Sequence, residues 1–484
     1  MTNNPAQKPP GPPRQAVVLI HGIGEQRPMQ TLRGFVSAFL KDGTYHSKPD
    51  TISDSYELRR LKLRKYISTD PNTESVNPDW PETDFYEYYW AHQMYGTKLS
   101  HIASWLWRVM RLGLCLILSS SERVHRRLRW IIPMFWLLLI AVPIAAYLAY
   151  YHYDLAHLSA ADIAGFAIVP VAAWVALRSR ILSLLTGITV GVFTDFAGDA
   201  ARYFDVNPKN VTRRYDIIRG GVAMLRKLHN DCDEEAGIVM YRYGRIILLG
   251  HSLGSVIAYD ILGNYWQEVN GKIEIDPAEF HAVENFCGGN DSPEFAGAAP
   301  YSDAKLFRTN QRAAWRHLSR ARPAGVKLDN DRKLDARWLV TDLVTLGSPL
   351  TYGPLFQANG LADFESKQRL RELPICPPDR SRHLNKGHFT VKLSAELERI
   401  HDYDILPQGA HFAVTRWTNF YYDNDWVGGP LAKVFGTGIE DVQLVGPALR
   451  PVTAHIGYWN SRLAGAGPGL SRLGDILRGA DADA

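Results

Sequence analysis

The stretch RIILLGHSLGSVIAYD, residues 245–260, decides how the rest of the chain is read. Arg245 to Leu249 is the apolar, β-branched run of a buried strand. From Leu253 the apolar residues fall at Leu253, Val256, Ile257 and Ile261, the stripe of a helix. Between them stands Gly250-His251-Ser252-Leu253-Gly254. A strand that turns directly into a helix needs a very tight reversal, and Gly250 and Gly254 lack the side chains that would collide there. The Ser252 hydroxyl is then left above the sheet at a helix N-terminus, where developing negative charge is favoured. Ser252 is the candidate nucleophile. His251 points away from the Ser252 Oγ in such a turn and reads as structural.

Working outward, a nucleophilic serine needs backbone N–H donors for an oxyanion, a base and an acid. The apolar run Ala16 to Ile20 reads as a buried strand that ends in His21-Gly22-Ile23-Gly24-Glu25. Gly22 and Ile23 are the candidate donors from this loop, with Leu253 supplying the other N–H. The acid and base should follow the serine in that order. A strand ending at Tyr422 leads into Asp423-Asn424-Asp425-Trp426-Val427-Gly428-Gly429, where Asp425 is the preferred acid and Asp423 the alternative. Among 16 histidines, His455 stands 30 residues beyond Asp425 in Thr453 to Trp459, which reads as a loop without helical period. It is the candidate base. His401 and His411 precede the acid and read as loop and surface residues.

The totals exclude several alternatives. Lys and Arg number 54 against 50 Asp and Glu, so the +4 balance provides no basic stripe for nucleic acid. Four cysteines, Cys115, Cys232, Cys287 and Cys376, show no metal-ligand spacing and read as reduced thiols, and neither metal nor organic cofactor is expected. The Pro-rich start carries no basic region followed by an apolar one, so no signal peptide is expected. The N-x-[ST] matches at Asn210 and Asn290 then carry no weight.

The middle of the chain changes character. Residues 130–151, WIIPMFWLLLIAVPIAAYLAYY, are 22 in a row without a formal charge, enough for a helix to cross a hydrocarbon core of about 30 Å. Ile163 to Leu177 and Ile181 to Phe193 continue the apolar pattern. Arg123, Arg126, Arg127 and Arg129 precede it, and Arg178 and Arg180 interrupt it, while the connecting turn has no Lys or Arg. The expectation is a membrane hairpin with both ends and the catalytic domain on the cytoplasmic side of an inner or plasma membrane. An interfacial helix is expected over His101 to Leu118.

Elsewhere a helix is expected from Met29 to Leu40 and another from Ile217 to Leu228. Strands are expected within Tyr56 to Ile67, Asp84 to Trp90, Trp338 to Leu346 and Phe412 to Tyr422. The expected segments are a flexible tail (1–15), a core segment with the oxyanion loop (16–100), the interfacial helix and hairpin (101–195), core with the serine turn (196–263), a polar, irregular cap (264–337), core with acid and base (338–462), and a fraying tail (463–484).

Five motifs together resemble the lipase-like branch of the α/β-hydrolase superfamily: VVLIHGIGEQ (17–26), RIILLGHSLGSVIAYD (245–260), LVTLGSPL (343–350), NFYYDNDWVGGPL (419–431) and AHIGYW (454–459). They span the core, about half the chain. The resemblance implies an α/β-hydrolase fold, mostly parallel sheet with helices on both faces, into which the hairpin and cap are inserted. It implies Ser252, Asp425 and His455 as a triad, Ile23 and Leu253 lining the oxyanion hole, and Ser348 of the Gly-Ser-Pro turn as structural. The expected activity is a serine esterase or lipase acting on carboxylic esters, with the hairpin tilting the substrate toward lipid acyl esters and the bilayer as a partner. The alternatives are a catalytically silent scaffold or lipid-binding module on the same fold, or an acyltransferase using the same triad.

Overall fold

The computed structural model describes residues 14–23, 27–40, 44–53, 57–63, 79–93, 99–118, 129, 132–133, 136, 200, 202–204, 208–235, 238–270, 273, 304–319, 337–378, 391–392, 404–405, 408–445, 451–459 and 468–479. Its centre is an eight-stranded, mostly parallel sheet. The strands are β1 (Arg14–Ile20), β2 (Tyr45–Pro49), β3 (Arg59–Leu63), β4 (Thr83–Tyr88), β5 (Tyr243–His251), β6 (Val340–Leu346), β7 (Arg416–Tyr422) and β8 (Glu440–Leu444). They lie in the order β8-β7-β6-β5-β1-β4-β3-β2. All pairs are parallel except β2 with β3 and β3 with β4.

The near-continuous apolar runs of β1 and β5 are explained by burial on both faces. Along β1, Ala16, Val18 and Ile20 face one core, while Val17 and Leu19 face the other. In β5, Ile246 and Leu248 join the first core and Ile247 and Leu249 the second. Each such side chain contributes about 1.5–3 kcal/mol by leaving water. The first core is covered by α3 (Pro208–Asn230), α4 (Leu253–Val269) and α5 (Ala304–Leu318), the second by α1 (Gln30–Phe39) and a C-terminal helix, α7 (Pro468–Arg478). The chain is therefore α/β, with helices on both faces of its sheet.

The order of strands fixes where a site can form. From β1 the chain passes to one side, through α1, to β4. It then crosses to β5 and proceeds outward on the other side through α4. Connections leaving in opposite directions open a crevice beyond the carboxyl ends of β1 and β5. Ile20 pairs in register with Gly250, and Gly250 with Thr345, so three strands end together there.

Several expectations need correction. Among the described residues no helix is long and apolar enough to cross a membrane. On that finding the membrane hairpin and the membrane location with a cytoplasmic catalytic domain are withdrawn. Residues 130–151 and 163–193, apart from 132, 133 and 136, lie outside the described residues. A helix is observed over the segment expected to be interfacial, α2 (Leu99–Leu118): Val109 and Leu116 are buried in the first core and Arg108 donates to Asn359 Oδ1 at 2.8 Å, while Trp107 and Leu118 are exposed. The C-terminal segment expected to fray contains α7, whose Leu473, Ile476 and Leu477 fill the second core. Within the segment read as an irregular cap, α4 continues to Val269 and α5 packs Phe307, Ala314 and Leu318 inward. Residues 274–303 and 320–336 are outside the described residues, as are Cys287, Asn290 and His401. Cys115, Cys232 and Cys376 are free thiols.

Candidate active site

Ser252 joins β5 to α4 with φ 54° and ψ −130°, a conformation that side chains rarely adopt and that costs about 1–3 kcal/mol. Three contacts hold it. The Ser252 N–H donates to Leu346 O at 2.9 Å, fastening the turn to the end of β6. The Ser255 hydroxyl donates to Ser252 O at 2.6 Å, and the Ser348 hydroxyl lies 2.7 Å from that of Ser255. Gly254 passes so close to β1 that a Cβ would lie 2.3 Å from Ile20 O and 2.4 Å from His21 O. The strain is thus imposed by the backbone around it, and it leaves the Ser252 side chain at the N-terminus of α4.

The loop after β1 reaches the same point. A Cβ on Gly22 would stand 2.9 Å from Ser252 Cβ. Gly22 therefore lies against the serine, with Ile23 next in the loop, and Leu253 follows the serine as the first residue of α4, whose N–H has no acceptor within its own helix. The loop is anchored by its histidine. His21 is fully buried and stacks on Trp90 at 5.2 Å; its Nδ1–H donates to Gly22 O at 2.7 Å. Burial pushes its pKa down to about 4, so the ring is neutral. Gly24 and Glu25 lie outside the described residues.

The acid and base arrive from the other side of β5, from the chain beyond β7. His455 Nε2 is 2.8 Å from Ser252 Oγ, and its Nδ1 is 3.1 and 3.0 Å from the two carboxylate oxygens of Asp425. A carboxylate can only accept, so Nδ1 carries the proton and Nε2 offers its lone pair to the serine hydroxyl. Asp425 is completely buried. Burial would raise its pKa, but His455, the Tyr458 hydroxyl at 2.7 Å and the Val427 N–H at 2.8 Å together outweigh it and hold the carboxyl at about 2. Ser252 is 1% exposed and His455 9%, so the whole chain of hydrogen bonds is shielded from bulk water. In that setting each charge-assisted bond is strengthened.

The structure thus brings Ser252, His455 and Asp425 together and leaves Asp423 exposed outside the group. His455 belongs to a short helix, α6 (Pro451–Ile456), where a loop was expected. His411, expected at the surface, is fully buried in the turn before β7. Tyr458 escaped the sequence reading, and His251, read as structural, has a partner that reading did not name. Tyr458 bridges the Asp425 carboxylate and the Tyr422 N–H, the latter at 3.3 Å. Its spacing of three residues from His455 was visible, its target was not. His251 donates to His455 O at 2.8 Å. Gly347, at φ 58°, permits this arrangement, since a Cβ there would meet Tyr458 Cε2 at 2.6 Å and Asp425 Oδ2 at 2.9 Å. A cleft lined by Gln368, Arg371, Pro374 and Gly409 shares no residue with this site.

Chemically, such an arrangement can remove a proton from the serine hydroxyl as its oxygen attacks, and return that proton to a leaving group. No group of three or more metal-ligating side chains occurs among the described residues. Comparison with protein families, curated proteins and solved structures finds no match to the chain.

Proposed function

We propose that the chain is a serine hydrolase of the α/β-hydrolase type that cleaves carboxylic esters. The observation that carries this reading is the unbroken path from the Asp425 carboxylate through His455 to the strained Ser252. In the proposed cycle Ser252 Oγ attacks the ester carbonyl carbon while His455 Nε2 takes its proton. The tetrahedral oxyanion is received by the Leu253 N–H and an N–H of the Gly22–Ile23 loop, favoured by the positive end of α4. Collapse expels the alcohol, which takes the proton from His455, and leaves an acyl group on Ser252. Water, deprotonated by the same base, then releases the acid. Asp425 stays ionised throughout, keeping Nδ1 protonated and stabilising the imidazolium.

Covalent labelling by a fluorophosphonate tests this directly, because it requires an activated serine and no knowledge of the substrate. Wild-type protein should be labelled at Ser252, and Ser252→Ala should not be labelled. A folded wild-type protein that resists the reagent would sink the hydrolase reading in favour of a silent module. Given labelling, release of free acid from a panel of p-nitrophenyl esters of different acyl length would establish hydrolysis and its chain-length preference.

A further inference from the structure

His251 does more than complete the serine turn. Its ring is buried and lies between the two loops that flank the nucleophile. On one side the Nε2 is 2.8 Å from the carbonyl oxygen of His455, and the two imidazoles stack at 5.1 Å with 29° between their planes. Trp459 meets the His251 ring edge-on at 4.8 Å, and Tyr458 lies at 5.7 Å. On the other side, the Cβ position of Gly22 is 3.2 Å from His251 Nδ1. One imidazole therefore touches the base-bearing segment and the glycine loop while its own backbone belongs to the nucleophile turn.

The hydrogen-bond chemistry fixes its state. A carbonyl oxygen accepts and cannot donate, so Nε2 must carry the proton. The bond reaches the backbone of the base, not its ring, and so leaves both ring nitrogens of His455 to Asp425 and Ser252. With the carbonyl clamped from beneath, rotation of α6 that would draw Nε2 away from the serine hydroxyl has to break a buried hydrogen bond.

We propose that His251 is a positioning residue, which sets the distance between His455 and Ser252 by holding the His455 carbonyl and filling the space beneath the glycine loop. The proposal rests on the hydrolase reading, since it concerns how fast Ser252 reacts. It predicts that reach matters as well as polarity. Glutamine can place an N–H where Nε2 stands, whereas asparagine ends where Nδ1 stands and falls short of the carbonyl. Phenylalanine keeps the ring and loses the donor.

The measurement is the second-order rate of fluorophosphonate labelling at Ser252, beside the melting temperature. In that reaction the Oγ–P bond forms, the P–F bond breaks, fluoride leaves and the serine proton passes to His455. His251→Asn and His251→Phe should be labelled up to about 100-fold more slowly than wild type, the cost of displacing a reacting group by roughly an ångström. His251→Gln should recover most of that loss at a melting temperature close to that of His251→Asn. Equal rates for the Gln and Asn variants would overturn the proposal, as would a His251→Phe variant labelled at the wild-type rate. Should the Phe variant fail to fold, the Gln and Asn pair decides. A wild type that is not labelled at all refutes the hydrolase reading instead, so the two failures are distinct.

Discussion

Acidification probes the interior of this fold through its histidines. His21, His229, His251 and His411 are all buried, and burial pushes their pKa down from 6.5, to about 4 for His21 and about 3 for the others. In the unfolded chain each takes up a proton below pH 6.5, while in the folded chain none does until the pH approaches 4. The unfolded state then binds more protons in that window, so the stability these rings contribute is complete above pH 6.5 and is lost as the pH falls. Between pH 7 and pH 5 each ring costs about 2 kcal/mol, and the four together about 7 kcal/mol. Three carboxyls oppose this. Burial raises Glu87 to about 7 and Asp260 to about 6 and pushes Asp441 up as well, so each is protonated in the fold before it is in the unfolded chain and favours folding as the pH falls. Glu87 and Asp260 recover about 3–4 kcal/mol of the histidine loss.

His411 isolates one quarter of the histidine effect, because it touches no member of the candidate site. Neither ring nitrogen has a hydrogen-bond partner, and the ring packs against Phe412 at 4.2 Å and Trp266 at 6.3 Å. His411→Leu should be no less stable than wild type at pH 7, since an unpaired polar ring is removed. Between pH 7 and pH 5 it should lose about 2 kcal/mol less than wild type. Urea unfolding followed by tryptophan fluorescence at the two pH values measures both. Equal losses for the two proteins would mean that His411 titrates as it does in water, and would refute the reasoning.

Four substitutions probe the site. Asp425→Asn should lower the labelling rate at Ser252 by about 10⁴-fold through loss of the required tautomer, whereas Asp423→Asn should leave it within a few-fold. Gly254→Ala should destabilise by about 3 kcal/mol or more in thermal or urea unfolding, because its methyl meets two carbonyl oxygens of the β1 backbone that have no room to retreat. Tyr458→Phe removes one of the donors to a buried carboxylate and should cost about 1.5–3 kcal/mol of stability with the chain still folded at neutral pH.

What was legible in the sequence followed from local rules. The β1 and β5 runs, the serine turn and the order Ser252, Asp425, His455 are read from local pattern, and the structure sets Ser252 at the end of β5, Asp425 just beyond β7 and His455 in α6. The polar partners that connect distant segments were not legible. Whether Tyr458 meets Asp425 or solvent depends on Gly347 leaving the space between them, a position more than 100 residues away. His411 reads as a surface residue only because it precedes the acid in the chain, an argument from order that says nothing of burial, while Trp266 and Phe412 pack against it in space. The tail after Arg462 reads as a weak, fraying helix because it is rich in Gly and Ala, and what that reading misses is that Leu473, Ile476 and Leu477 pack α7 into the second core.

Charge is distributed unequally between the two ends of the parallel strands. At the amino ends, Asp342 accepts from Arg245 at 2.8 Å and pairs with Arg312 at 3.4 Å. Glu440 pairs with Arg308 at 2.7 Å and Arg472 at 2.8 Å, and Asp84 accepts from Tyr243 at 2.8 Å and Arg60 at 3.2 Å. At the carboxyl ends, Asp425 stands with the neutral rings of His21 and His251 around the serine. Seven residues of strand separate Arg245 from Ser252, about 23 Å. At that distance a unit charge acts on the site with less than about 1 kcal/mol at an effective dielectric of about 20, and paired charges with less still. Asp425 acts on His455 from 3.0 Å in a shielded interior. The ionic pairs that tie these strands and helices together therefore lie too far away to compete for the imidazolium, and among the described residues Asp425 is the carboxylate in contact with His455.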